Sequence, residues 1–178
     1  MASECMTATP IESPHSSTLL ASLQFQGTSN DCGPYTTATV LNALRKLDIQ
    51  ATELALQMNK PVWRGPFLVV RRIPNWATFP WGMVDVFRSY GLLASWRPFT
   101  PIQYLFQALE RGRVLMPMIG EWKPLWAHVM TLVAWDPLQG WGFANTQVED
   151  HKMYWLSDKT FKIQWQAMGH LLVEVKNA

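Results

Sequence analysis

Four residues have the types that thiol-based acyl transfer requires: Gln26, Cys32, His128 and Asn145. In such chemistry a thiolate attacks an acyl carbon, a histidine moves the proton, and a third polar group orients the histidine ring. Cys32 lies where the sequence pattern predicts the first turn of a helix. Because unpaired N–H groups at a helix N-terminus stabilise an anion, we expect the pKa of the Cys32 thiol to be lowered.

Each of these residues also has a non-catalytic explanation. A lone cysteine is more often an inert core residue, since free cysteine is among the most buried residue types. A loop glutamine is usually exposed, and a histidine at the start of an apolar strand is about as often a core residue satisfied by backbone groups. The catalytic interpretation therefore depends on the residues acting together.

The spacing of the candidates permits that combination. Gln26 precedes Cys32 by six positions in a polar loop, so its amide could return to the sulfur as an oxyanion donor, with Gln24 a weaker alternative. If a tight turn lies near Asp136, His128 and Asn145 face each other across an antiparallel hairpin. Asp136 itself would lie about 26 Å along the strand from the histidine and is assigned to the turn.

The elements that must position these residues follow an order of helices first and strands second. Asp31 is predicted to cap the helix that begins at Cys32, Thr100 to cap a later helix, and Ser157 to cap the last one. This order predicts an α+β fold in which an N-terminal helical part packs on a C-terminal antiparallel sheet. The predicted helices span 31–47, 52–58, 83–89, 101–111 and 157–166, and the predicted strands span 114–119, 127–135, 142–146, 152–156 and 170–175.

Length and composition favour one folded domain with a short leader. The chain has 178 residues, 48% of them hydrophobic and 16% charged, which suits a single core. Residues 1–20 are rich in Ser, Thr and Pro without an apolar period, so we expect a flexible leader at 1–20 and one domain at 21–178.

The same composition argues against several kinds of partner. The net charge is +2 and no long basic run is present, so nucleic acid is not an expected partner. The apolar stretches are too short to span a membrane, and the N-terminus does not resemble a signal peptide. The two cysteines, Cys5 and Cys32, have no zinc-site spacing, so we expect no metal or cofactor and a reducing, cytoplasmic location. Nothing indicates the oligomeric state.

Two strings of residues in this sequence resemble the motifs of a known family. The string from Gln26 to Cys32, followed by Gly33, Pro34 and a helix of small residues, resembles papain-like cysteine peptidases. It is most similar to the family that includes double-glycine (bacteriocin) leader peptidases and their stand-alone bacterial relatives. The later string, from His128 through Trp135, Asp136 and Gly140 to Asn145, is similar to the histidine and acid motifs of that family.

The resemblance implies a papain-like fold and a cysteine peptidase that acts on a peptide or protein. It assigns Gln26 as oxyanion donor, Cys32 as nucleophile, His128 as base and acid, and Asn145 as the third member of the triad. The leader peptidases usually have Asp followed by Pro where this chain has Asn145 and Thr146, whereas papain has Asn at that position. This departure leaves the subfamily and the substrate open.

Two other functions are compatible with the sequence. One is a catalytically inactive binding module in which the loop from Pro61 to Trp81 recognises a ligand or partner through Trp63, Trp76 and Trp81. The other is a transpeptidase or amide-transfer enzyme acting on another substrate. Trp122 and Trp126 flank His128 in sequence and are candidates for the walls of a cleft.

Overall fold

The computed structural model describes residues 9–176, and this part of the chain contains six helices and twelve strands. The helices are α1 (Ser16–Ala21), α2 (Cys32–Arg45), α3 (Ala51–Met58), α4 (Pro80–Ser89), α5 (Ile102–Glu110) and α6 (Asp158–Ala167). The strands are β1 (Ile11–Glu12), β2 (Val62–Arg64), β3 (Phe67–Val69), β4 (Arg72–Ile73), β5 (Ala77–Thr78), β6 (Leu93–Arg97), β7 (Val114–Trp122), β8 (Leu125–Val129), β9 (Thr131–Asp136), β10 (Gly140–Ala144), β11 (Tyr154–Leu156) and β12 (Leu172–Lys176).

One antiparallel sheet organises the molecule. Six of its strands run in the order β11-β10-β9-β7-β12-β6, while β8 pairs with β7 and β1 pairs with β9. Two small hairpins, β2–β3 and β4–β5, lie outside it. The expected combination of helices with an antiparallel sheet is confirmed.

Helices cover both faces of the sheet. Because side chains alternate along each strand, neighbouring residues of one strand belong to different cores. On β7, Val114 and Met116 belong to the core that includes the buried residues of α1, α2, α3 and α4. Leu115 faces the opposite core, which is formed with α5 and α6. The prediction that an N-terminal helical part packs on the sheet is therefore incomplete. The helices α5 and α6 pack their apolar residues against the other face of the sheet.

The expected leader differs from the structure over residues 11–20. There, β1 pairs with β9, the Ser13 N–H donates to the Val133 carbonyl at 2.8 Å, and Leu19 of α1 is fully buried. These elements are too short to have a detectable period, and long-range packing stabilises them. The part of the predicted leader at 1–8, with Cys5, lies outside the described residues.

Several predicted boundaries also shift. The strand predicted at 127–135 is divided at Met130 into β8 and β9. Pro101, and not Thr100, occupies the N-cap position of α5. The cap at Ser157 is confirmed, because its Oγ accepts from the Thr160 N–H at 3.2 Å. Among residues 9–176, no helix combines the length and the apolar character that crossing a bilayer requires.

Candidate active site

Cys32 is the first residue of α2 and lies half-buried at the wall of a cavity. The helix is fixed against β8, since the Thr36 hydroxyl donates to the Val129 carbonyl at 3.1 Å. Gly33 and Pro34 are buried in the same first turn. The predicted position of the thiol at a helix N-terminus is thus present, and its helix is anchored to the strand that carries His128.

The pKa of Cys32 is raised, contrary to the expectation from the helix terminus. Burial of the thiol disfavours its anion most strongly, and backbone hydrogen bonds from Val129 and Gly33 oppose that effect without cancelling it. The local contribution of the N-terminus was predictable, whereas the depth of burial depends on β8, which is distant in sequence. The free protein therefore favours the neutral thiol.

His128 and Asn145 form a buried pair. His128 Nε2 lies 2.8 Å from Asn145 Oδ1, and both residues are 5% exposed. Because an amide oxygen only accepts, Nε2 is the donor, and in the neutral ring Nδ1 is left as the acceptor. Burial lowers the pKa of His128, and the hydrogen bond with Asn145 opposes this shift. The ring is therefore neutral near pH 7 with a basic nitrogen available.

The route that brings this pair together is not the predicted one. The β9–β10 ladder runs from Asp136↔Gly140 to Thr131↔Ala144, so the assumed pairing of residues 128 and 145 is wrong. The register of the β9–β10 ladder shifts between Gly142 and Phe143. Met130 separates β8 from β9, and β8 pairs with β7. His128 on β8 therefore contacts Asn145, which follows β10, without being its partner in a ladder.

Asp136 belongs to the turn, as expected. Its Oδ1 accepts from the backbone N–H groups of Leu138 and Gln139 at 2.8 and 2.9 Å. These contacts close the connection between β9 and β10.

Gln26 is held rigidly beside the cavity. Its Oε1 accepts from the Thr146 hydroxyl at 2.6 Å, and its Nε2 donates to the Ser29 carbonyl at 2.7 Å. A primary amide has two hydrogens, so one remains for a group in the cavity that Gln26 lines. Gln24 instead bonds Ile49 and Ala51 at the start of α3, so its side chain is already engaged there.

The cavity has a volume of about 280 Å³ and contains surfaces of Gln26, Cys32 and His128. Asn145 lies behind the histidine and does not line it. Of the tryptophans singled out from the sequence, Trp76 and Trp126 line the cavity. Trp63 and Trp122 do not, and they are 72% and 69% exposed.

Asp31 does not act as the predicted helix cap. It occupies the N-cap position of α2 but makes no side-chain cap hydrogen bond. Its carboxylate forms an ion pair with Arg72, whose side chain is 2% exposed. Sequence reasoning missed Arg72, although an arginine pair at 71–72 in an otherwise apolar stretch indicates buried partners.

The loop of residues 61–81 is further attached to the turn that carries Cys32. Asn30 Nδ2 donates to the Asn75 carbonyl at 2.9 Å. Thr78 lies so close to Gly33 that a Cβ built on the glycine would be 2.4 Å from the Thr78 Cβ. This loop therefore forms one wall of the cavity in a fixed position, which the sequence pattern did not reveal.

Comparisons with known proteins agree with this architecture. No protein-family model matches the sequence, and no curated protein is significantly similar to it. Among solved structures, the fold is similar to one described as a "putative C39-like peptidase from Bacillus anthracis", with a TM-score of 0.69 and 10% sequence identity. The match covers 96% of this chain and 99% of the other. The chain therefore has a C39-like peptidase fold.

Within residues 9–176, no group of three or more His, Cys, Asp or Glu side chains is arranged to hold a metal ion.

Replacing Arg72 with Met is expected to shift the alkylation of Cys32 by iodoacetamide to higher pH. After burial and backbone hydrogen bonds, the Asp31 carboxylate raises the pKa of Cys32 and the Arg72 guanidinium lowers it. Loss of Arg72 leaves the carboxylate unopposed, whereas Asp31→Asn should shift the profile to lower pH. Alkylation rates measured from pH 6 to 10 check both directions.

Arg64→Met is the matched control, because Arg64 lies on the same loop as Arg72 but pairs with Asp85 of α4 instead of Asp31. It should leave the pH profile of Cys32 in place. If Arg72→Met lowers thermal stability but the profile does not move, Arg72 has a structural role only.

Proposed function

We propose that this protein is a cysteine peptidase, with Cys32 as nucleophile, His128 as base and acid, Asn145 as the group that orients His128, and Gln26 as an oxyanion donor. The observation that carries the proposal is the convergence of three of these side chains on one cavity, with Asn145 bonded to the histidine behind it. A substrate in this cavity would contact the nucleophile, the base and the donor together. The C39-like peptidase fold supports the same class of reaction.

The protonation states favour general-base activation. The pKa of Cys32 is raised and that of His128 is lowered, so a neutral thiol and a neutral imidazole face the substrate. As the sulfur attacks the acyl carbon, His128 accepts the thiol proton at Nδ1 while Asn145 holds Nε2. The imidazolium then forms only when the reaction begins.

The charge on the substrate moves to the carbonyl oxygen. The free amide hydrogen of Gln26 and the backbone N–H of Cys32, which has no partner within α2, would bind that oxyanion. The imidazolium donates its proton to the leaving amine, and the C–N bond breaks to give a thioester on Cys32. Water, deprotonated by His128, attacks the thioester and releases the acid and the thiol.

The proposal also includes a substrate class and a cellular location. The proposed substrate is a peptide or protein, and the likeness to a structure described as a C39-like peptidase supports that class. A cytoplasmic location suits a free thiol nucleophile, since reducing conditions preserve it. Neither nucleic acid nor a membrane surface has a role in the proposed reaction.

Hydrolysis of a mixed library of internally quenched peptides tests the proposal. All variants carry Cys5→Ser to remove the second thiol. We expect cleavage by this parent and none by Cys32→Ser or His128→Ala. His151→Ala is the matched control, because His151 is exposed, binds the Leu20 carbonyl at 2.9 Å and does not line the cavity, and it should cleave like the parent.

The other outcomes separate the alternatives. Cleavage that persists in Cys32→Ser would contradict the assigned nucleophile. No cleavage by the parent, together with alkylation of Cys32 at the same rate in the parent and in His128→Ala, would favour an inactive binding module. If added amines capture the acyl group in place of water, the reaction is amide transfer.

A further inference from the structure

We propose that the cavity beside Cys32 selects substrates with one large uncharged apolar side chain next to the scissile bond, and that Trp76 and Trp126 are its specificity-determining walls. This inference rests on the proposed peptidase function. It names the chemistry of the substrate group, which the triad alone does not determine.

The lining of the cavity is mainly apolar and uncharged. Trp76, Trp126, Met118, Leu125 and Val129 present apolar surface to the cavity. Among the described residues that line it, none is Asp, Glu, Lys or Arg, and the polar ones are neutral amides, a threonine and the catalytic groups. A charged substrate group would lose hydration here without gaining a partner, whereas an apolar group would lose only unfavourable contact with water.

The cavity is small. Its volume of about 280 Å³ is at the lower end of the roughly 300–1,000 Å³ typical of sites for drug-sized ligands. It suits a single bulky side chain better than several residues at once. A glycine would leave most of the apolar wall in contact with water.

The two tryptophans that line the cavity lie on separate segments of the chain. Trp126 belongs to β8, two residues before His128. Trp76 lies between β4 and β5, in the loop that is attached to the turn of Cys32 through Asn75 and Thr78. Trp76 and Trp126 therefore lie on segments that are attached to the turn of Cys32 and to the strand of His128.

Two apolar side chains that line the cavity are largely exposed to solvent, which favours a binding site. Trp76 is 65% exposed and Leu125 is 63% exposed at the cavity. Aromatic side chains at binding sites contribute large contact areas, and an indole left mostly in water gains when an apolar group covers it. Trp63 and Trp122 are 72% and 69% exposed, close to Trp76, but lie outside the cavity, so they provide internal controls.

The experiment compares alkylation of Cys32 by three reagents of the same reactive group: iodoacetamide, N-benzyl-iodoacetamide and N-carboxymethyl-iodoacetamide. In the Cys5→Ser parent, we expect the benzyl reagent to react at least about tenfold faster than the carboxymethyl reagent, which corresponds to about 1.4 kcal/mol. Trp76→Ala and Trp126→Ala should each lower this ratio several-fold. Trp63→Ala and Trp122→Ala should leave it unchanged.

A charge-introducing variant tests the same site in the opposite direction. Leu125 is largely exposed, so Leu125→Lys should fold and should raise the rate of the carboxymethyl reagent relative to the benzyl reagent. A ratio near one in the parent, or a ratio unaffected by both Trp76→Ala and Trp126→Ala, would overturn the proposal. Because alkylation needs no hydrolysis, this result is independent of whether peptides are cleaved.

Discussion

Replacing Gln26 with Ala is expected to lower kcat for peptide hydrolysis by about 10²–10³-fold, or roughly 3–4 kcal/mol, the effect of removing one oxyanion donor. The side chain is 6% exposed and is fixed from both ends by Thr146 and Ser29. Such a preorganised donor costs no reorganisation when negative charge develops on the substrate oxygen. The measurement is steady-state hydrolysis of a cleaved peptide from the library.

Alkylation of Cys32 separates this role from a general loss of structure. Iodoacetamide reacts by displacement at a saturated carbon, so no oxyanion forms. Gln26→Ala should therefore keep most of the alkylation rate while hydrolysis falls. Equal losses in both reactions would indicate that Gln26 maintains the shape of the site and does not stabilise the oxyanion.

Two neighbours refine the assignment. Thr146→Val removes the hydroxyl that binds Gln26 Oε1, so kcat should fall by less than in Gln26→Ala and KM should change little. Gln147 also lines the cavity but is exposed, and Gln147→Ala is expected to retain kcat. A larger loss in Gln147→Ala than in Gln26→Ala would transfer the donor role to Gln147.

The parts of this site that the sequence predicted are those determined by local chemistry. The start of α2 at Cys32 follows from the turn-forming loop before it and the helix-forming residues after it. The turn at Asp136 follows from its short polar side chain, which binds backbone N–H groups two and three residues ahead. Neither feature depends on a distant partner.

The parts that the sequence did not predict depend on contacts between distant segments. The hairpin register changes at a β-irregularity between Gly142 and Phe143, and one shifted residue changes every later pairing. The loop of residues 61–81 has no period of its own, and its place over Gly33 depends on a buried ion pair between Arg72 and Asp31. The raised pKa of Cys32 has the same origin, because burial is a property of the assembled fold.

Replacing Glu174 with Ala is expected to lower the free energy of unfolding by about 1–3 kcal/mol, because it removes the buried acceptor that Arg97, Arg113 and Tyr104 share. Glu174 lies on β12 with its side chain 1% exposed. Arg113 donates to its Oε1 at 2.8 Å, and Arg97 and Tyr104 also bind the carboxylate. Urea unfolding measures the loss.

Lys162→Met is the comparison, because Lys162 forms an exposed pair with Asp158 four residues earlier on α6. Such pairs contribute about 0.3–0.5 kcal/mol, so this variant should unfold close to the parent. A loss for Glu174→Ala of the same small size would contradict the view that the buried network stabilises the sheet.

The pH dependence of unfolding gives an independent measure of the Glu174 network. Burial alone would raise the pKa of Glu174, but hydrogen bonds from Tyr104 and Arg113 and the charge of Arg97 outweigh it and lower that pKa. The unfolded chain therefore binds the proton more readily than the folded one, so the stabilising contribution is present above the ordinary pKa of about 4.3 and is lost as pH falls through the folded value. Glu174→Gln cannot titrate, and its stability should decline less than that of the parent between pH 5 and pH 3. Parallel declines in the two proteins would place the acid sensitivity in other carboxylates.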